Sequence, residues 1–114
     1  MSGPGVPDGR GEPVEARREP KRSAYARGYT KKWDAAAKRF RQLYPLCGMR
    51  PLDDDGRDQV PVMSQCYDEQ RVTAATQTDH VRPHRGDMTL FWDVTHNWQA
   101  LCRRCGARKS QAGL

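Results

Sequence analysis

The sequence lacks any apolar run near the length of about 20 residues that a membrane-spanning helix requires. Its N-terminus also lacks an apolar stretch of the kind found in secretory signal peptides, so we expect an intracellular protein that works away from membranes. Apolar residues make up only 36% of the chain, and the mean hydropathy is −0.97. This scarcity predicts a hydrophobic core that is too small to stabilise the fold alone.

Large apolar side chains are almost absent from residues 1–22, which are rich in glycine, proline and charge. Such a segment cannot bury enough surface to offset its ordering entropy, so we predict a disordered basic tail. The folded domain is then predicted over residues 23–114. A domain of about 90 residues is near the size at which a core alone is marginal, which favours a metal ion as an additional stabiliser.

Acidic residues are scarce in the first part of this domain, while the formal net charge of the chain is +6. Eight lysines and arginines lie between positions 21 and 41, against the single acid Asp34. A basic run of this kind suits a polyanion such as nucleic acid. It is also compatible with an ordinary solvated helix face.

Hydrophobic periodicity predicts an α+β domain with few regular elements. Apolar residues recur at helical spacing over residues 30–44, where Thr30 can cap a helix and Pro45 would end it. The polar insert over residues 48–65 contains an acidic run without the alternating spacing of an EF-hand, so we interpret it as a solvated loop. The remaining predicted elements are short strands near 75–81 and 97–101, a long loop over 82–96 and a last helix near 103–112.

Four cysteines in a reducing compartment favour metal ligation over disulfides. Cys102 and Cys105 have the spacing of half a tetrahedral zinc site, and Cys47 and Cys66 are the other thiols of the chain. We therefore predict a closed structural zinc site that does no chemistry. A redox Cys-x-x-Cys and unpaired buried cysteines are the alternatives, although the βαβ context of a redox motif is missing.

The chemistry-bearing residues upstream of this motif are an acid–histidine pair and an asparagine. Phosphodiester hydrolysis needs a base, a divalent ion and basic residues that position the phosphate. His80 can serve as the base, Asp79 offers a hard oxygen to Mg²⁺ or a similar ion, and Asn97 can hold the loop by backbone hydrogen bonds. Taken alone, Asp79-His80 is better explained as an ordinary surface pair.

The combined pattern resembles the HNH endonucleases of the ββα-metal, treble-clef type. It is similar to the small phage and prophage members of that family, whose zinc is held by four cysteines. The resemblance covers about residues 28–112, with the ββα-metal core over 74–112. The matching residues are Trp33, Arg39, Tyr44-Pro45-Leu46-Cys47, Asp79-His80, Pro83-His84-Arg85-Gly86-Asp87, Leu90-Phe91-Trp92-Asp93, Asn97-Trp98-Gln99-Ala100-Leu101-Cys102, Cys105 and Arg108-Lys109.

The resemblance implies a small zinc-stabilised HNH fold with an N-terminal basic helix and a metal-dependent DNA endonuclease or nickase activity. His80 would be the general base, Asp79 a ligand of the catalytic divalent ion, and Asn97 the residue that orients the loop. DNA and phage terminase subunits are the implied partners, and the bacterial or host-cell cytoplasm is the implied location. Implied phosphate contacts are His84, Arg85, Arg103, Arg108 and Lys109.

One position departs from the family. The final histidine ligand follows the second cysteine of the knuckle, and Gly106 occupies that position here. The enzyme would then be weak or require high metal, or His84 or His96 would replace the ligand. The alternative function is an inactive zinc-held accessory that binds DNA, and a further one is a structural zinc protein that binds other proteins.

Overall fold

A computed structural model of the chain describes residues 27–114. The tail predicted over residues 1–22 lies outside the described residues. Among the helices of residues 27–114, none is long and apolar enough to cross a membrane.

The described chain is an α+β domain with a two-stranded antiparallel sheet, which confirms the predicted class. Most of its helices are a single turn long, and the longest stands at the N-terminal end. The elements, in order, are α1 (Lys31–Leu43), α2 (Gln65–Asp68), β1 (Gln77–His80), α3 (Met88–Phe91), α4 (Val94–Asn97), β2 (Trp98–Leu101) and α5 (Arg103–Gln111).

Helix α1 forms where the apolar periodicity predicts it. The hydroxyl of Thr30 accepts a hydrogen bond from the Trp33 N–H at 3.4 Å, and Tyr44, just before Pro45, is the C-cap. Trp33 and Phe40 lie on the buried face of the helix. The helix prediction and its cap are therefore confirmed, and most of the basic side chains of α1 stay on the exposed surface.

The two faces of the β1–β2 hairpin pack against different parts of the protein. Asp79 pairs with Gln99, and His80 pairs with Trp98. Because side chains alternate along a strand, His80 and Trp98 lie on one face, which packs against α1. Asp79 and Gln99 lie on the opposite face, together with Leu101, which packs among the cysteines.

The segment predicted as one long loop over residues 82–96 contains two short helices, so that part of the prediction is wrong. Asp87 caps α3 by accepting a hydrogen bond from the Thr89 N–H at 2.9 Å. Asp93 caps α4 by accepting one from the His96 N–H at 3.1 Å. Asn97 is therefore the last residue of α4 and not the first residue of β2. Aspartate is a favoured N-cap residue, and this local signal was present in the sequence.

The insert over residues 48–65 is irregular up to Ser64, which caps α2. Its acidic run forms a turn in which the Asp53 carboxylate accepts hydrogen bonds from the backbone of Asp55 and Arg57, at 2.8 and 2.9 Å. The guanidinium of Arg50 donates to the carbonyl oxygens of Val60 and His96, both at 3.0 Å. The insert is therefore tied to the segment that precedes β2.

Candidate metal centre and catalytic pocket

The four cysteines converge on one buried point. Their Sγ atoms all lie within 4.8 Å of one another. The Sγ of Cys66 is 3.9 Å from those of Cys102 and Cys105. Four thiolates at about 2.3 Å from a tetrahedral zinc ion are about 3.8 Å apart, so the spacing fits such an ion. The predicted grouping of Cys47 and Cys66 with the Cys-x-x-Cys is confirmed, and this group could hold a structural metal ion such as zinc.

Local backbone geometry brings these thiols together. Cys102 and Cys105 lie at the start of α5, and Cys66 lies in α2. Cys47 precedes Gly48, whose N–H donates to the Ala100 carbonyl at 2.7 Å. Gly48 has φ +96°, and a Cβ there would meet the Ser64 hydroxyl at 2.9 Å, so only glycine suits this turn.

The thiols differ in acidity. Burial raises the pKa of the Cys47 thiol to about 12. Burial acts in the same direction at Cys105, but hydrogen bonds from the Cys66 backbone and from neighbouring thiols outweigh it and lower that pKa to about 7. Since a metal ion binds the thiolate, metal binding must release the Cys47 proton.

His80 lies in an aromatic environment at the end of β1. Its ring stacks on Trp33, with 5.0 Å between ring centroids, and the residue is 7% exposed. Because a carbonyl oxygen only accepts, the Nε2–H of His80 donates to the Phe91 carbonyl at 3.0 Å. In the neutral ring the lone pair is then on Nδ1, and burial lowers the pKa of His80, which favours that neutral form.

Asn97 connects the two ends of the segment between the strands. Its Oδ1 accepts from the Arg82 N–H at 2.8 Å. Its Nδ2 donates to the carbonyl oxygens of Arg82 and Leu90, at 3.2 and 3.0 Å. The side chain is almost fully buried, so these bonds replace water that the backbone groups cannot reach. Asn97 thus holds the segment that carries Phe91, the hydrogen-bond partner of His80.

The Asp79 carboxylate is already engaged by two protein groups. Its Oδ2 accepts a hydrogen bond from the Gln99 amide at 2.9 Å and lies 3.3 Å from the Lys109 ammonium. The Lys109 Nζ also donates to the His80 carbonyl at 2.9 Å, and its side chain is 4% exposed. Lys109, which the resemblance assigned to the phosphate, is therefore a buried partner of Asp79.

The space beside Gly106 is filled by another side chain. A Cβ at Gly106 would overlap the side-chain amide of Gln77 and would come within 2.6 Å of its Cδ. Gln77 and Asp79 lie on the same face of β1, which α5 covers. The position of the family's histidine is therefore occupied by an amide from the neighbouring strand.

The two other histidines have separate surroundings. The Nε2 of His84 lies 3.1 Å from the Tyr29 hydroxyl, and its Nδ1 accepts from the Gly86 N–H at 3.1 Å. Burial and the nearby Arg27 charge lower the pKa of His84. His96 lies between the Asp54 and Asp93 carboxylates on the exposed surface and does not line the pocket that holds Asp79 and His80.

This pocket has a volume of about 500 Å³ and lies where β1 ends and the segment that connects it to β2 begins. Asp79 and His80 both reach it because the strand ends there, although they belong to opposite faces. Five of the predicted site residues meet in it, and its charged or polar lining residues are Arg27, Tyr29, Asp79, His80, His84, Arg85 and Lys109.

Other predicted residues lie elsewhere. Arg103 does not line the pocket, and the Arg108 guanidinium donates to the Gln65 side chain at 2.6 Å. Sequence reasoning missed Gln77 and Gln99 as neighbours of the site. Their alternation with Asp79 and Leu101 was a usable signal, but only once the strand register was known.

Comparisons of this chain with protein-family models, with curated proteins and with solved structures found no match.

Proposed function

We propose that this protein is a DNA endonuclease or nickase of the HNH type, and that its hairpin and α5 form the ββα treble-clef core of that family. The observation that carries the proposal is the state of His80 in the pocket. Its Nε2–H is held by the Phe91 carbonyl, which leaves Nδ1 as a base, and Asn97 fixes the segment that contains Phe91. A base with a fixed tautomer beside several cations suits attack on a phosphodiester.

The proposed reaction is hydrolysis of one strand. Nδ1 of His80 takes a proton from a water molecule while the water oxygen bonds to phosphorus. The bond from phosphorus to the leaving sugar oxygen breaks, and that oxygen takes a proton from solvent. Arg27, Arg85 and Lys109 line the same pocket and would offset the phosphate charge.

The basic side chains of α1 support DNA as the substrate. Lys31, Lys38 and Arg39 are exposed on a helix that packs against the strand carrying His80. Cations on a rigid helix near the pocket would bind neighbouring phosphates of the same strand. A role in phage genome cleavage, with terminase subunits as partners, is part of the proposal through the family resemblance alone.

The residues present do not fit the two-ligand catalytic metal site that the family implies. Asp79 is the only acidic side chain among the residues that line the pocket, and it is paired with Lys109. Gly106 offers no ligand, and the Gln77 amide fills the adjacent space. His84 also lines the pocket, but its two ring nitrogens are engaged by the Tyr29 hydroxyl and the Gly86 N–H. The proposed reaction therefore includes no step through a divalent ion.

The second candidate is a zinc-held accessory that binds DNA without cutting it. The observation that favours it is the same Lys109–Asp79 pair, since it satisfies the carboxylate that the family uses for metal. The basic surface of α1 would serve this function equally well. Binding and cleavage therefore have to be measured on the same preparations.

Nicking of supercoiled plasmid tests the proposal. The native chain, His80→Gln and the matched control His96→Gln are compared without added divalent ion and with Mg²⁺, Mn²⁺ or Ni²⁺, after zinc content and circular dichroism show equal folding. Nicking that persists in His96→Gln and disappears in His80→Gln supports the enzyme. Gel-shift binding with no nicking by the native chain under any condition refutes it and leaves the accessory function.

The family histidine can be restored only if space is made for it. Gly106→His alone must displace Gln77, so the informative variant is Gln77→Ala with Gly106→His. If the native chain is inactive and this double variant nicks plasmid in the presence of Ni²⁺ or Mn²⁺, the protein is a nuclease scaffold that has lost its ligand. Gln77→Ala alone is the control.

A further inference from the structure

The strongest unexplained feature of the pocket is the burial of a lysine. Lysine is rarely buried without a partner, because removal of an ammonium from water is costly. The Lys109 side chain is 4% exposed, yet its Nζ lies in the pocket between the Asp79 carboxylate and the His80 carbonyl, at 3.3 and 2.9 Å. Both contacts belong to the residue pair that defines the candidate site.

Helix α5 determines which group faces Asp79. Gly106 and Lys109 are three positions apart, so they lie on the same face of the helix, which packs on β1. The family has a histidine at the first of these positions, and this chain has no side chain there. The ammonium of Lys109 is then the only group on this face with a hydrogen bond or ion pair to the Asp79–His80 segment among residues 27–114.

A divalent ion at Asp79 would have to compete with that ammonium. Oδ2 is engaged by Gln99 and Lys109 together. A metal ion on the same carboxylate would lie within a few ångströms of a positive charge that the protein encloses, where screening by water and salt is weak. The repulsion lowers the affinity of Asp79 for any free cation.

We infer that Lys109 is the resident cation of this pocket and takes the charge-neutralising place that a divalent ion would take at Asp79. An ammonium has three N–H donors. Two meet Asp79 and the His80 carbonyl, and the third is available to a non-bridging oxygen of a phosphodiester. This last step rests on the proposed nuclease function, whereas the exclusion of metal from Asp79 does not.

Manganese binding tests the exclusion without any activity. Zinc-loaded protein in chelating-resin-treated buffer is titrated with Mn²⁺, and free Mn²⁺ is followed by electron paramagnetic resonance. The native chain and Asp79→Asn should both show no saturable binding up to about 1 mM. Lys109→Met should bind Mn²⁺ about tenfold more tightly or better, and the gain should disappear in Asp79→Asn with Lys109→Met.

Two controls keep this test decisive. Lys38→Met removes an exposed lysine of α1 and should not change Mn²⁺ binding, and Lys109→Arg keeps the charge and should behave as the native chain. Native binding in the micromolar range that Asp79→Asn removes would overturn the inference. A folded Lys109→Met variant whose affinity for Mn²⁺ is unchanged would also overturn the inference. If that variant does not fold, the titrations of the native chain and Asp79→Asn decide the question.

Plasmid nicking then separates this inference from the proposed function. If Lys109 replaces the ion, the native chain nicks in metal-depleted buffer with its zinc in place, and Lys109→Met nicks only when Mg²⁺ is added. A native enzyme that requires micromolar Mg²⁺ would overturn the inference while the nuclease function stands. Absence of nicking in every variant would overturn the nuclease, and Mn²⁺ binding would still decide the place of Lys109.

Discussion

The contact between Gly106 and Gln77 predicts that the substitution Gly106→Ala changes the stability of the protein by an amount that depends on residue 77. In an unhindered helix, alanine is more stable than glycine by about 1 kcal/mol. A Cβ at Gly106 would overlap the Gln77 amide, so Gly106→Ala must move that amide. Because the amide is the far end of a flexible side chain, it can move aside. We therefore expect a free-energy cost near the lower end of the range for overpacked positions, about 1 kcal/mol. We expect the two effects to cancel in the native background.

The same substitution should stabilise the protein once Gln77 is shortened. In Gln77→Ala the overlap is gone, so the full helix gain of about 1 kcal/mol should appear as a rise in Tm of about 4–8 °C. The assay is thermal unfolding followed by circular dichroism at a fixed free zinc concentration. All four proteins of the double-mutant cycle are compared, and the expected coupling energy is about 1 kcal/mol.

Equal shifts of Tm in both backgrounds would refute this reasoning. A rise of about 4–8 °C from Gly106→Ala in the native chain would mean that the Gln77 amide does not occupy the space beside Gly106. A histidine at position 106 would then fit without a shortened Gln77. A matched control is Ala107→Gly, which should lower the Tm in both backgrounds, because residue 107 is an exposed position of the same helix.

Three further outcomes follow from the structure. The protein should contain one tightly bound zinc ion by elemental analysis, and Cys66→Ser or a strong chelator should unfold it, because an ion on the four thiols would join α2 to α5. Asn97→Ala should lower the free energy of unfolding in urea by about 3 kcal/mol, since three buried hydrogen bonds are lost. His96 lies 2.9 Å from Asp54 and 3.1 Å from Asp93, and the hydrogen bond that its ring N–H donates to the Asp54 carboxylate is the main cause of its raised pKa. The stabilisation by protonated His96 is complete below its unfolded-state pKa of about 6.5 and is lost as the pH rises through its higher folded-state pKa. The difference in Tm between the native chain and His96→Gln should therefore be larger at pH 6 than at pH 9.

The sequence predicted the element that is determined by contacts between residues close together in the chain. The helix over residues 30–44 follows from apolar spacing, a threonine cap and a following proline, and α1 with its cap agrees with it. The aspartate N-caps of α3 and α4 were local signals of the same kind. However, the apolar residues between them were interpreted as a loop that packs on the core, so both helices were missed. The first strand was predicted three residues too long and the second one residue too long, because pairing between the strands sets their ends.

Distant residues became part of the site only through the fold. Gln99 and Lys109 are ordinary polar residues along the chain, and their positions in the sequence do not show that both contact the Asp79 carboxylate. The hairpin register brings Gln99 opposite Asp79, and α5 then lays Lys109 across the same strand. The sequence shows the charge of Lys109 but neither its burial nor its ion pair with Asp79.

The sequence by itself determined the thiols available for a metal ion, the basic helix and the acid–histidine–asparagine set, because these depend on residue type and short-range spacing. Only the tertiary structure decided which groups surround Asp79. Packing of α5 on β1 put the Gln77 amide beside Gly106 and a buried ammonium against Asp79, and a carboxylate held in that way is a different site from one that is free to bind metal. Its charge balance depends on contacts between residues 30 positions apart, and residue spacing alone contains no such information.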